Sequence, residues 1–220
     1  MKPAWFVVLL AAFPLACWGQ SEPADAVFQV DFTQPEMVPA HWTLTLHPDG
    51  TGHYRSERGS APRSEPGQIE VPNVDRDVQV SPTFAAHAFD IAQRHKFFNQ
   101  DCESHLKVAF QGNKQFTYTG ADGHGSCTFN YSKDKDIQAF GDSLIAVSET
   151  ILEGARLEKL MLHDRLGLDQ EMSYLMEASG DGRAQQICSI RSILERLAAD
   201  DAVLERVRKW ARQLLARAET

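Results

Sequence analysis

The sequence predicts an α+β fold: an antiparallel sheet from two strand groups, a packed helix, and an all-helical C-terminal segment. Three observations predict it. Asp49-Gly50 sits between two alternating segments, which is a strong hairpin signal. A second alternating stretch, Leu106 to Tyr131, carries its large apolar residues on one face. From Asp136 onward the apolar period becomes helical, and no strand signal returns.

Each element follows from its residues. Val and Phe in near-alternation over residues 26–32 suit a first strand. Trp42, Leu44 and Leu46 alternate with Thr, and Thr51 to Tyr54 returns after the turn, where Gly50 accepts the positive φ that a tight hairpin demands. Residues 58–68 hold Gly, Ser and two Pro and read as a loop, and residues 69–80 as a strand broken near Pro72-Asn73. Ser81-Pro82 opens a helix, with the hydroxyl as cap and Pro at the first helical position. Phe84, Ala88, Ile91 and Phe98 carry it to residue 98.

The second strand group is read as a three-stranded meander. Turns at residues 112–114 and 120–125 place Phe110 opposite Phe116 and Val108 opposite Tyr118. They also place Cys127 opposite Tyr118 and Phe129 opposite Phe116. The parity puts all of these on one dry face. A long helix then runs from Asp136 towards His163, and two more are expected at 184–199 and 202–218, the second capped by Asp200 and Asp201. The expected organisation is an α+β domain over 26–152 and a helical segment over 153–220.

Before these elements stands a leader. Met1-Lys2 is positive, residues 4–16 are almost unbroken apolar, and small or polar residues follow Gly19. This is the layout of a secretory signal peptide over residues 1–19, with a cut between 16 and 26 and a flexible lead-in over 20–25. The run falls short of the roughly 20 apolar residues that span a bilayer, so no transmembrane span is expected. Pro14-Leu15-Ala16-Cys17 resembles a bacterial lipobox, with Pro14 where an aliphatic residue belongs; a lipid anchor at Cys17 is the alternative to a soluble product.

An exported chain meets an oxidising compartment, so its cysteines are open to pairing. Cys102 and Cys127 are in phase with the apolar face of the second strand group, and a bridge between them is the expected structural disulfide. It would close a loop of about 25 residues, worth about 3 kcal/mol in the chain-entropy account. Cys188 is left over as a core residue of a late helix, beside Ile187 and Ile190.

The formal charge of −8, from 30 acidic and 22 basic side chains, argues against nucleic acid as a partner. Phe140-Gly141-Asp142-Ser143-Leu144 resembles the Gly-Asp-Ser-Leu block of the GDSL hydrolases. That family needs a downstream oxyanion-hole Asn and an Asp-x-x-His near the C-terminus. This chain has no Asn after Asn130, and its only later histidine is His163. His41, His47, His53, His105 and His124 lack the spacing of a zinc site, and Asp75-x-Asp77 lacks the Gly and distal Glu of a calcium loop. No catalytic, cofactor-binding or metal residue is therefore assigned. The expected function is an exported, non-enzymatic binding or interaction protein of the cell envelope, periplasmic or secreted, with an unidentified envelope or extracellular partner. The alternatives are a small extracytoplasmic hydrolase and a metal-binding envelope protein.

Overall fold

A computed structural model describes residues 25–59 and 73–218. The leader, Cys17, the lead-in up to residue 24, most of the 58–68 loop and residues 69–72 lie outside the described residues. The chain builds a six-stranded antiparallel sheet in the order β4-β3-β2-β1-β5-β6, followed by helices, which is an α+β fold. The strands are β1 (Val27–Thr33), β2 (His41–Leu46), β3 (Thr51–Glu57), β4 (Asp75–Gln79), β5 (Asn113–Gly120) and β6 (Gly123–Phe129). The helices are α1 (Pro82–Arg94), α2 (Lys135–His163), α3 (Leu168–Asp181), α4 (Arg191–Ala199) and α5 (Glu205–Arg217). None of them is long and apolar enough to cross a membrane, and no strand follows β6 among the described residues.

The β2–β3 hairpin forms at Asp49-Gly50 as expected. Gly50 takes φ +82°, and its N–H closes the turn on His47 O at 2.9 Å. Ser81 Oγ accepts from Phe84 N at 3.2 Å and caps α1, with Pro82 in its first turn. The α1 helix stops at Arg94, short of Phe98, because Lys96, Phe97 and Phe98 all take positive φ in a tight 3-10 turn.

The expected strand over 106–110 does not form. Its place beside β5 is taken by β1, which pairs Val30 with Phe116 and Phe28 with Tyr118. The alternation in 106–110 resembles that of a strand, but β1 has the same alternation and sits in the sheet between β2 and β5. Glu103 holds Asn130 N at 2.7 Å, Ser104 N donates to Tyr131 O at 2.9 Å, and His105 turns at φ +55°, so the chain leaves the sheet there. Leu106 and Phe110 end 52% exposed.

The β5–β6 hairpin is tighter than expected, with only Ala121-Asp122 between the strands. Cys127 therefore faces Phe116, and Phe129 faces Lys114, two residues from the expected partners. An even slip keeps every side chain on its face, so the predicted dry face survives the wrong register.

That face packs against α1 and α2. Phe140 of α2 sits 5.4 Å from the Phe28 ring and 5.6 Å from the Phe116 ring, at the centre of the core. A second apolar cluster, built on Leu160, Met172, Leu194, Val207 and Leu214, joins α2 to α3, α4 and α5. The long α2 helix serves both clusters.

The late helices are shorter than expected. Gln186 takes φ +54°, so 184–199 becomes a 3-10 turn, Ile187–Ile190, followed by α4. Asp200 and Asp201 do not cap α5, whose N-cap is Leu204. Asp200 instead accepts from Ala202 N at 2.9 Å inside the connecting turn, and Asp201 pairs with Arg208.

Candidate functional site

A cleft of about 700 Å³ opens where the β2–β3 hairpin and β4, one edge strand of the sheet, face the Ile187–Ile190 turn and α4. Four contacts set its walls. Thr150 Oγ1 of α2 donates to Gln185 O at 2.6 Å, and Ser81 N donates to Gln186 Oε1 at 2.8 Å, which pins the turn beside the end of β4. Glu158 of α2 takes both Arg76 of β4 and Arg196 of α4, holding strand and helix in one frame. The turn can approach α2 only because residue 154 is glycine: a Cβ there would lie 2.5 Å from Ile190 Cγ2.

The strand wall carries His53, Asp77 and Gln79. His53 Nδ1 lies 2.9 Å from Asp77 Oδ1, and its Nε2 lies 3.0 Å from Asp75 Oδ1. A neutral imidazole has one donor and one acceptor nitrogen, so two carboxylate partners call for the doubly protonated ring. The hydrogen bond to Asp77, with the charge of Asp75 adding to it, raises the His53 pKa above its ordinary value. The helix wall carries Cys188, Ser189, Arg191, Ser192 and Glu195. Ser189 Oγ is buried and has no hydrogen-bond partner. Cys188 is half-buried and lines the cleft, not the core expected of it, because the 3-10 turn rotates it away from its Ile neighbours. Burial pushes its thiol pKa up, the opposite of an activated nucleophile.

The remaining residues singled out in the sequence scatter. Cys102 and Cys127 do come together at disulfide distance, with Cα atoms 5.8 Å apart. Ser143 stands inside α2, eight residues past its start at Lys135, and not on a strand-to-helix turn. His41 pairs with Asp31 at 3.0 Å and His105 with Asp101 at 2.6 Å, far apart along the sheet and its loops. Among the described residues one group of metal-ligand type converges, His95, Asp134 and Asp136, whose 39-residue separation carries no ligand spacing. Its carboxylates already have duties: Asp134 Oδ1 caps α2 through Asp136 N and Ile137 N, and Asp136 pairs with Arg94 at 2.6 Å.

Sequence reasoning also missed the His53 clamp. In the sequence His53 is one of five histidines without the spacing of a zinc site, and Asp75-x-Asp77 is a failed calcium loop. The period-2 spacing of the two aspartates, which puts both on one strand face, was the available signal. No protein-family model matches the chain, and no curated protein matches it in sequence.

Proposed function

We propose that this is an exported, non-enzymatic binding protein of the cell envelope, and that the cleft between β4 and α4 is its binding site. The observation that carries the reading is the engagement of both His53 ring nitrogens by Asp75 and Asp77. Both carboxylates favour the charged ring and raise its pKa, which supports a charged wall over a general base. The neighbouring thiol is raised away from reactivity in the same cleft. Those two facts favour binding over hydrolysis. The scattered histidines and the committed carboxylates at Asp134 and Asp136 favour it over metal storage. The leader and the Cys102–Cys127 pair support an oxidising compartment.

The test is capture from the chain's own envelope fraction, using tagged protein expressed with its leader. Ser192→Trp fills the helix wall of the cleft, and Thr128→Trp alters β6 at the opposite sheet edge. The reading expects envelope residence and a retained component that Ser192→Trp releases and Thr128→Trp keeps. Cytosolic residence, or retention indifferent to Ser192→Trp, would contradict it.

A further inference from the structure

We infer that α3 is held to α2 by a proton latch. One proton, shared by the buried carboxyl of Glu153 and the carboxyl of Glu171, joins the two helices, and its loss to solvent frees α3. The inference stands apart from the cleft. Its first support is an unmet acceptor. Glu153 of α2 has no exposed side-chain surface, and Arg156 donates to its Oε2 at 2.8 Å. Its Oε1 is buried and has no hydrogen-bond partner. What α3 brings beside it is a second carboxyl, that of Glu171. Two carboxylates are both acceptors, so one of them must carry a proton before either can donate.

The surrounding charges point the same way. Arg156 also meets Glu149 of α2 at 3.9 Å, and Tyr174 of α3 donates to Glu149 at 3.0 Å. Arg183 lies over the Tyr174 ring, 5.3 Å from its centroid. Three carboxyls, Glu149, Glu153 and Glu171, thus gather round the guanidinium of Arg156. From the other side, the Ile187–Ile190 turn and α4 bring the apolar Ile190 and Ile193 against Gly154. Burial and a like charge both disfavour a second ionised carboxyl. The proton is the missing positive charge, and the raised pKa of Glu153 agrees with its being held there.

The latch acts on one unit of the fold. Leu168, Met172, Leu175 and Ala178 of α3 are buried in the second apolar cluster, and α3 covers that cluster only while it lies on α2. Local opening returns Glu153 to water, where an ordinary carboxyl releases its proton. The closed form therefore gains fully from the proton below the ordinary carboxyl range. That gain is lost as pH rises through the raised value of about 8. Alkaline conditions open α3 and expose the cluster beneath it, in the manner of a locally unfolding unit.

The test is amide exchange of the full chain at a series of pH values, corrected for the intrinsic exchange rate. The opening constant of α3 amides, read at Met172 and Leu175, should rise roughly tenfold per pH unit between about pH 5 and 8 and then level off. At the upper end α3 should open at least tenfold more often than β1 and β5. In Glu153→Gln and in Glu171→Gln the amide supplies the donor without a proton, so the rise should disappear in both. Should Glu153→Gln fail to fold, Glu171→Gln, whose side chain is only partly buried, decides. A flat profile in the parent, or the same rise in both variants, would overturn the inference. So would α3 opening no more often than β1 and β5, because the pair would then serve global stability and not a latch.

Discussion

Tyr54 and Ser148 stand 94 positions apart in the chain and share a buried 2.7 Å hydrogen bond that ties β3 to α2. The Tyr54 ring is fully buried, and that burial raises its phenol pKa well above the ordinary value. The bond locks the long helix onto the strand next to the cleft. Replacing Tyr54 by Phe removes the donor–acceptor pair and leaves Ser148 Oγ buried without a partner. The expected cost is about 1–3 kcal/mol of unfolding free energy by urea titration. An unchanged midpoint would mean that the bond adds nothing to the sheet–helix joint.

Glu153 makes stability depend on pH. Its side chain has no exposure, Arg156 pairs with it at 2.8 Å, and its Oε1 finds no donor. Burial, with the neighbouring carboxyl of Glu171 adding to it, pushes its pKa up to about 8, from 4.5, against the opposing pull of Arg156. Between those two values the folded chain holds a proton that the unfolded chain releases, so stability falls as pH rises. The slope reaches at most about 1.4 kcal/mol per pH unit for one such proton. Glu153→Gln mimics the protonated acid and should flatten this slope between pH 5 and 8. A variant with the same slope as the parent would place its origin elsewhere.

The Cys102–Cys127 pair ties the loop after α1 to the last strand. Peptide mapping of exported protein under non-reducing conditions should find one link between them and a free thiol at Cys188. Reduction should lower the melting temperature, with a loss of about 3 kcal/mol in the chain-entropy account. Two free thiols at Cys102 and Cys127 in folded, exported material would contradict the pairing.

What the sequence disclosed depends on whether a residue's role is local. The Asp49-Gly50 turn, the Ser81 cap and the period of α2 are set within a few residues, and all three were legible. The placement of residues 106–112 was not. Whether an alternating apolar segment pairs or protrudes depends on competition with β1, about 80 residues earlier in the chain. The burial of Lys114 was hidden for the same reason: it read as a turn residue, yet its Nζ donates to Asn130 O at 3.0 Å beneath α2. The cleft was the least legible feature. Its walls meet only because Gln186 breaks the late helix and Gly154 lets the turn approach, and neither residue carries a motif.

The leader makes its own prediction. Mass spectrometry of the mature N-terminus should show a chain shortened by roughly 19 to 26 residues. A diacylated Cys17 would select the anchored form. An intact Met1 in cytosolic protein would contradict export.

The central claim is that His53 is a fixed charged wall of a binding cleft and not a base. Nitrogen-detected NMR titration of the His53 ring measures this directly. The claim predicts both ring nitrogens protonated at neutral pH and a pKa above the ordinary imidazole value of about 6.5. Asp77→Asn should lower it most, because the bond to Asp77 is the largest cause of the rise, and Asp75→Asn should lower it less. The ion pairs should hold fully below the ordinary value and be lost as pH climbs through the raised one. A His53 that titrates at or below the ordinary value, with one nitrogen bare at neutral pH, would contradict the claim and return the cleft to catalysis.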